Sequence, residues 1–300
     1  MTIPAKADGR LEPLPLTVHV LVYIAIGWLG VEIFGRIMPW IGGYFWGSFA
    51  ASFATALFAN WFTLRIYTNH RLVELGLWWN RASADNLVLG VIGGAGAALL
   101  VLTPPLLAGA ARLAPIAAAE QPSFGAAVFL TTGLMIAATA EELMMRGYAF
   151  QVLLASCGTW ATVIPVGVVF ALLHSGNPNA TWFSVANTAG FGVLFGYAFV
   201  RTRDLWLPIG LHFGWNFTLP LFGANVSGLR MRMTGHEMVW SAGKLWSGGD
   251  YGPEASVLTS AAMMLLVFFI WKAPVHRQPS PLTDPPEASE VCEPSPALPS

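Results

Sequence analysis

Two adjacent glutamates and an arginine interrupt an otherwise apolar segment near the middle of the chain, at Glu141, Glu142 and Arg146. A charged side chain in the centre of a bilayer costs at least about 2.5–3.5 kcal/mol, so each of them needs a partner or a polar cavity. Glu142 and Arg146 lie four residues apart, which places them on one face of a helix where they can form an ion pair. Glu141 points about 100° away around the helix, so we expect it to face a polar chamber or to be protonated.

Two histidines and an asparagine can share this chamber. His174 and His212 each follow an apolar run. Asn216 lies four residues after His212, so the side chains of His212 and Asn216 can both donate hydrogen bonds to one oxygen. A carboxylate, two imidazoles and an amide are groups that activate water and stabilise an oxyanion. Glu141, His174 and His212 could equally hold a catalytic divalent metal such as zinc, although the HExxH motif is absent. The residue types leave both chemistries open.

The composition indicates what kind of fold must position these groups. Of 300 residues, 55% are hydrophobic and only 10% are charged, whereas a soluble domain has about 25% charged residues. The net charge of −1 provides no basic surface for nucleic acid. The two cysteines, Cys157 and Cys292, are too few for a disulfide framework. The sequence therefore predicts an integral membrane protein with no nucleic-acid partner.

An all-α bundle of about eight transmembrane helices is predicted, because a hydrocarbon core about 30 Å thick requires about 20 apolar residues of helix. The predicted spans are 17–36, 41–64, 87–109, 124–153, 160–174, 182–200, 205–221 and 255–271. Glu141 and His174 can reach a similar depth only if the span 160–174 ends inside the protein, so we expect a short or broken helix there.

The distribution of Lys and Arg predicts both termini in the cytoplasm. With that orientation the cytoplasmic side carries Lys6, Arg10, Arg65, Arg71, Arg81, Arg201, Arg203, Lys272 and Arg277. The other side carries Arg36, Arg112, Arg230, Arg232 and Lys244. A bacterial cytoplasmic (inner) membrane is the expected location, from the richness of the chain in Ala, Gly and Trp.

Five segments are predicted along the chain. They are a cytoplasmic amino-terminal segment at 1–16, transmembrane helices at 17–123, a catalytic transmembrane core at 124–221, a loop with the last transmembrane helix at 222–271, and a disordered tail at 272–300. The tail is predicted to be disordered because it is rich in proline and acidic residues and has little apolar surface to bury.

Three motifs, in this order, resemble those of the CAAX protease and bacteriocin-processing (CPBP, or Abi) intramembrane endopeptidases. They are EExxxR at 141–146, FxxxH at 170–174 and HxxxN at 212–216. The resemblance extends over about 124–220 and implies an all-helical intramembrane protease, with relatives that remove the last three residues of prenylated proteins. A peptide or membrane-protein substrate, lipidated or not, would then meet the enzyme among membrane lipids.

The resemblance also implies a role for each motif residue. Glu141 would be the general base that activates water, and His174 would hold the same water. His212 and Asn216 would stabilise the tetrahedral oxyanion. The residues that support the site would be Glu142 and Arg146. Both metal-dependent and glutamate-type mechanisms are attributed to the family, so the resemblance implies no definite cofactor.

Other functions fit the same residues. A non-enzymatic membrane partner, such as a bacteriocin self-immunity protein, could bind another protein through the same cavity. A proton-coupled transporter could use Glu141 and Glu142 as a relay. If the chain is a peptidase, we expect a conical cavity that opens to the cytoplasm or to lipid.

Overall fold

The computed structural model describes residues 15–284, and in this part of the chain it contains nine α-helices, one two-stranded sheet and short 3₁₀ turns. The helices are α1 (Leu16–Tyr67), α2 (Arg81–Leu107), α3 (Phe124–Arg146), α4 (Tyr148–Cys157), α5 (Thr159–His174), α6 (Trp182–Thr202), α7 (Trp206–Leu221), α8 (Lys244–Ser247) and α9 (Val257–Lys272). The strands β1 (Ala111–Pro115) and β2 (His236–Trp240) pair antiparallel, with Ala111 opposite Trp240. The predicted all-α membrane bundle is confirmed.

Four helical segments of the described chain are long and apolar enough to cross a membrane. They are Leu16–Gly43, Arg81–Leu107, Phe124–Cys157 and Trp182–Thr202. The helices α5, α7 and α9 have 16 residues each, or about 24 Å at 1.5 Å per residue, which is shorter than the hydrocarbon core. Each predicted span overlaps a helix, while the count of eight spans stays a prediction.

The long helix α1 is a hairpin whose two halves turn at Gly43. The φ angle of Gly43 is +74°, a conformation that glycine adopts without steric strain. Beyond this turn the halves lie side by side, and the Asn60 amide donates a hydrogen bond of 3.0 Å to the Tyr23 hydroxyl. The halves correspond to the two spans predicted at 17–36 and 41–64.

The outer surface of the helices is apolar. Side chains such as Trp28, Ile92, Leu172, Met264 and Phe268 are exposed. An apolar surface of this kind is expected where helices contact lipid, because lipid hydrocarbon is as apolar as these side chains. The polar residues of the motifs lie in the interior instead.

The helix α7, which carries His212, packs against α2 through glycines on both helices. A Cβ atom added at Gly94 would lie 2.0 Å from the carbonyl oxygen of Leu211, and one added at Gly214 would lie 2.4 Å from that of Val91. Since neither glycine has a side chain, the two backbones come into direct contact. This contact fixes the position of α7 in the bundle.

The ends of the helices form two opposite faces of the bundle. The tail face consists of the connections 68–80 and 203–205 and of residues 273–284. The Leu205 N–H donates to the Gly76 carbonyl at 2.9 Å, and the indole of Trp206, the first residue of α7, donates to the Trp78 carbonyl at 2.7 Å. Because α1 turns back at Gly43, its start and its end both lie at the tail face, and α9 ends there at Lys272.

The sheet face is the opposite end. It consists of the turn at Gly43, the strands β1 and β2, and the connections 175–181 and 222–256. The two connections touch closely, because a Cβ atom at Gly228 would lie 1.9 Å from the Pro178 carbonyl oxygen. An ion pair between Arg232 and Glu237 at 2.9 Å adds to this layer. The sheet face is thus a folded layer over the ends of α5, α6 and α7.

The structure departs from the predicted disordered tail at 272–300. Residues 273–284 fold back onto the tail face, where the Gln278 N–H donates to the Thr202 carbonyl at 2.7 Å and the Gln278 amide donates to Asn80 at 3.0 Å. These hydrogen bonds hold the segment in place together with Val275 and Leu282, which pack against the apolar core. The remaining part of the predicted tail, and residues 1–14 of the amino-terminal segment, lie outside the described residues.

Candidate active site

Three helices bring the predicted site residues together in one cavity of about 250 Å³. Glu141 is on α3, His174 ends α5, and His212 is on α7. The Glu141 Oε2 atom lies 3.7 Å from His174 Nε2 and 3.8 Å from His212 Nε2. Asn216 lines the same cavity. All four side chains predicted to take part in the chemistry are therefore neighbours in the fold.

A break at Gly147 ends α3 shortly after Glu141 and Glu142, and Asn60 of α1 bridges the break. The Asn60 amide donates to the Leu143 carbonyl at 3.0 Å and accepts from the Tyr148 N–H at 2.8 Å. A Cβ atom at Gly147 would lie only 2.1 Å from Asn60 Oδ1, so no larger residue fits this contact. The sequence offered one signal for Asn60, a carboxamide in an otherwise apolar span, and it belonged to no motif.

The short helix α5 ends at His174, as expected from the depth of Glu141. The His174 Nδ1 atom lies 2.8 Å from the Phe170 carbonyl oxygen. A carbonyl oxygen only accepts hydrogen bonds, so we infer that Nδ1 carries the proton and that Nε2 turns its lone pair toward Glu141. The FxxxH spacing thus has a local meaning, because one helical turn separates the histidine from the carbonyl that orients it.

Glu142 connects two of the motifs. Its Oε2 atom lies 3.1 Å from Arg146 Nη1, which is the ion pair expected from their spacing, and both side chains are fully buried. Its Oε1 atom lies 2.9 Å from His212 Nδ1, a contact that the sequence did not predict because the two residues are 70 positions apart. Arg146 also donates to the Gly192 carbonyl at 2.7 Å. Glu142 therefore orients the His212 ring.

Aromatic rings close the interior end of the cavity. The Phe195 ring stacks on the His212 ring at 5.0 Å between centroids, and the Phe170 ring meets it edge-on at 6.1 Å. The Arg146 guanidinium lies 5.4 Å from the centre of the Phe170 ring. These rings keep the Glu142–Arg146 pair away from water, which strengthens its electrostatic interaction.

A third carboxylate, Glu254, lies in the cavity wall on the sheet face. It accepts hydrogen bonds from the Trp215 indole at 3.1 Å and from the Ser227 N–H. Burial raises the pKa of the Glu254 carboxyl above its ordinary value, in spite of these hydrogen bonds. The sequence did not predict Glu254, whose only signal was an acidic residue directly before an apolar span.

Glu141, His174 and His212 were also candidate metal ligands. Across residues 15–284, no group of three or more His, Cys, Asp or Glu side chains has the arrangement of a metal centre. The buried Glu141 Oε2 atom has no hydrogen-bond partner within this part of the chain and faces both imidazoles across a gap. We therefore assign no step to a metal and describe only what the side chains can do.

Residues 123–218 match the family model for the Type II CAAX prenyl endopeptidase Rce1-like proteins. The matched segment extends from the residue before α3 into α7 and contains all three motifs. The match covers 96 of the 300 residues and agrees with the family that the three motifs resemble. No curated protein and no solved structure matches the chain. Apolar helices long enough to span a bilayer, together with this match, support an integral membrane protein, and the matched family suggests a membrane peptidase.

Proposed function

We propose that the chain is an intramembrane endopeptidase in which Glu141 and His174 activate a water molecule. The observation that carries the proposal is the pair of acceptor atoms, Glu141 Oε2 and His174 Nε2, which face each other at 3.7 Å. This distance is too long for a direct hydrogen bond and short enough for one water molecule to contact both atoms. Such a water would donate one hydrogen to each acceptor and turn a lone pair toward the substrate carbonyl.

The proposed reaction is the hydrolysis of a peptide bond. The water oxygen bonds to the carbonyl carbon while Glu141 takes a proton from the water. The tetrahedral intermediate then collapses, the carbon–nitrogen bond breaks, and Glu141 returns the proton to the leaving amine. The products are a carboxylic acid and an amine, so all atoms are accounted for without an added reactant.

We assign stabilisation of the oxyanion to His212 and Asn216. They lie one turn apart on α7, and both line the cavity beside Glu141. An Nε2–H on His212 requires a doubly protonated ring, because Nδ1 already donates to Glu142. The buried Glu142 carboxylate is the counter-ion that such a ring needs, and Arg146 holds that carboxylate in place. A removed oxyanion donor typically lowers kcat about 10²–10³-fold.

The test is cleavage of quenched fluorescent peptides, with and without a farnesylated terminal cysteine, by the full chain in detergent. We expect Glu141→Gln to lower turnover at least about 10²-fold, because it removes the proton acceptor with little change of shape. The matched control is Glu32→Gln, since Glu32 is also a glutamate of a membrane helix but pairs with Arg36 outside the cavity. Turnover of Glu141→Gln equal to that of Glu32→Gln would refute the proposal.

A chelator added to the wild-type reaction tests the choice of chemistry. The water activation described above predicts unchanged turnover, and a loss that zinc restores would replace it with metal-dependent hydrolysis. A binding function, such as self-immunity, would instead survive in the Glu141→Gln variant.

A further inference from the structure

The cavity that holds Glu141 has two carboxylates in its wall and no permanent positive charge. Glu141 and Glu254 both line it, and no Lys or Arg is among the described residues of the wall. The Glu142 carboxylate, by contrast, is neutralised by Arg146 at 3.1 Å. Charges of one sign in a cleft with low-dielectric walls focus their field into it. The cavity therefore favours a cationic occupant.

Glu254 is a buried carboxylate without a counter-ion in this wall. The residue is 7% exposed, and its oxygens accept hydrogen bonds from the Trp215 indole and the Ser227 N–H, which are both neutral donors. A carboxylate has about four acceptor sites, so Glu254 can accept further hydrogen bonds. Burial raises the pKa of its carboxyl, because an uncompensated charge is unfavourable there. A cation that reached Glu254 would offset this cost.

The groups beside Glu254 suit an ammonium. The rings of Trp215 and Phe191 line the same cavity, with 4.7 Å between their centroids, and aromatic faces attract cations within about 6 Å. The Thr188 hydroxyl also lines the cavity and donates to the Ser184 carbonyl at 2.9 Å, so its oxygen can still accept a hydrogen bond. Together these groups match an ammonium, which is a compact charge with three N–H donors.

Glu141 and His174 also line a second cavity, of about 220 Å³, on the side of α1. Its other walls come from α1, α3 and α5 and are mainly apolar, with Val31 and Met144 among their members. A charged group is costly in surroundings of this kind. We therefore expect a charged part of the substrate on the Glu254 side of the water-activating pair.

Resting on the proposed peptidase function, we propose that the substrate carries a primary ammonium group close to the scissile bond and that Glu254 binds it. A lysine side chain and a free amino terminus both present this group. Trp215 brings the bound ammonium near the reaction, because it donates to Glu254 and directly precedes Asn216, the proposed oxyanion donor. Glu254 lies outside the matched residues 123–218, so the preference would be a property of this chain rather than of the matched segment.

The first experiment measures binding and does not require activity. The full chain carries Glu141→Gln to prevent cleavage, and the probes are acetylated, amidated apolar peptides in which one lysine is moved through every position. We expect the best lysine peptide to bind at least about tenfold tighter than the peptide with norleucine at that position, and acetylation of the lysine to abolish the gain. A norleucine peptide with a free amino terminus tests the other source of the ammonium. Equal binding of all these peptides would overturn the proposal.

The second experiment assigns the preference to Glu254. Adding Glu254→Gln removes the charge and should bring the ratio of the two dissociation constants close to one. The matched control is Glu237→Gln, which should keep the ratio, because Glu237 also belongs to the sheet face but pairs with Arg232 and is absent from the cavity wall. The ratio is measured on a single preparation, so it does not depend on the folded fraction. If Glu254→Gln does not fold, Glu254→Asp replaces it, and its shorter side chain should lower the ratio. An unchanged ratio in the variant used would overturn the proposal.

Cleavage of the same peptides by the wild-type chain separates this proposal from the peptidase function. Preferential binding of the ammonium peptides without any cleavage would refute the peptidase function alone. Cleavage with equal kcat/KM for the lysine and norleucine peptides would overturn the role of Glu254 alone.

Discussion

Replacing Asn60 with leucine should loosen the end of α3 and so displace the proposed catalytic base. The Asn60 amide satisfies the Leu143 carbonyl on one side of the break and the Tyr148 N–H on the other, at 3.0 and 2.8 Å. Leucine has nearly the same volume but can form neither hydrogen bond. Two backbone groups would then lose their partner at a fully buried position.

The expected loss of stability follows from these two hydrogen bonds. Hydrogen bonds between membrane helices contribute about 0.6 kcal/mol on average and up to about 1.7 kcal/mol. Asn60→Leu should therefore lower the free energy of unfolding by about 1–3 kcal/mol. The effect on turnover should be larger, because Glu141 lies only six residues before the break at Gly147. A displacement of about 1 Å can cost about 10²-fold in rate.

The assay measures both quantities in one detergent, with unfolding followed by circular dichroism and kcat determined per folded molecule. The matched control is Asn86→Leu, since Asn86 is equally buried and bonds to Asp204 and His276 near the tail face, away from the cavity. The control should lose stability and keep its kcat. If Asn60→Leu kept its full kcat while still folded, the claim that Asn60 positions α3 would be refuted.

Three further predictions concern the packing and charge of the bundle. Glu142→Gln leaves Arg146 buried without a counter-ion and should cost about 3–5 kcal/mol of stability as well as most of the turnover. Adding Arg146→Met to this variant should restore stability in thermal unfolding but not turnover. Recovery of both stability and turnover would contradict the role of Glu142 at His212. Burial raises the pKa of Asp204 to about 6 from its ordinary value of 3.8. The protonated carboxyl therefore stabilises the fold below about pH 4, and this contribution, about 3 kcal/mol in total, is lost as the pH rises through 6. Asp204→Asn should flatten this part of the stability curve, whereas parallel curves for variant and wild type would exclude Asp204 as its source. Gly94→Leu should separate α2 from α7 and reduce both stability and turnover. The control is Gly96→Leu, which should change neither, because a Cβ atom at Gly96 meets nothing within 4 Å. Equal effects of the two substitutions would show that the close contact between α2 and α7 is not needed.

Much of the fold could be predicted because a bilayer imposes a local rule on the chain. Each predicted span overlaps a helix, since an apolar run in lipid must satisfy its own backbone hydrogen bonds. The Glu142–Arg146 pair also followed from its spacing along a single helix. The segment 273–284 was less predictable, because its hydrogen bonds are made with residues far away in the sequence.

The candidate site, like the fold, has some features that the sequence predicts and others that only the structure shows. The sequence by itself determined which residues carry the chemistry, because a charge or an imidazole in an apolar helix stands out wherever that helix lies. Only the tertiary structure decided that Glu142 orients His212 across 70 positions, that Asn60 reaches α3 across 83, and that Glu254 joins the wall of the cavity. These features depend on how helices pack side by side, and packing joins residues whose separation along the chain leaves no periodic signal.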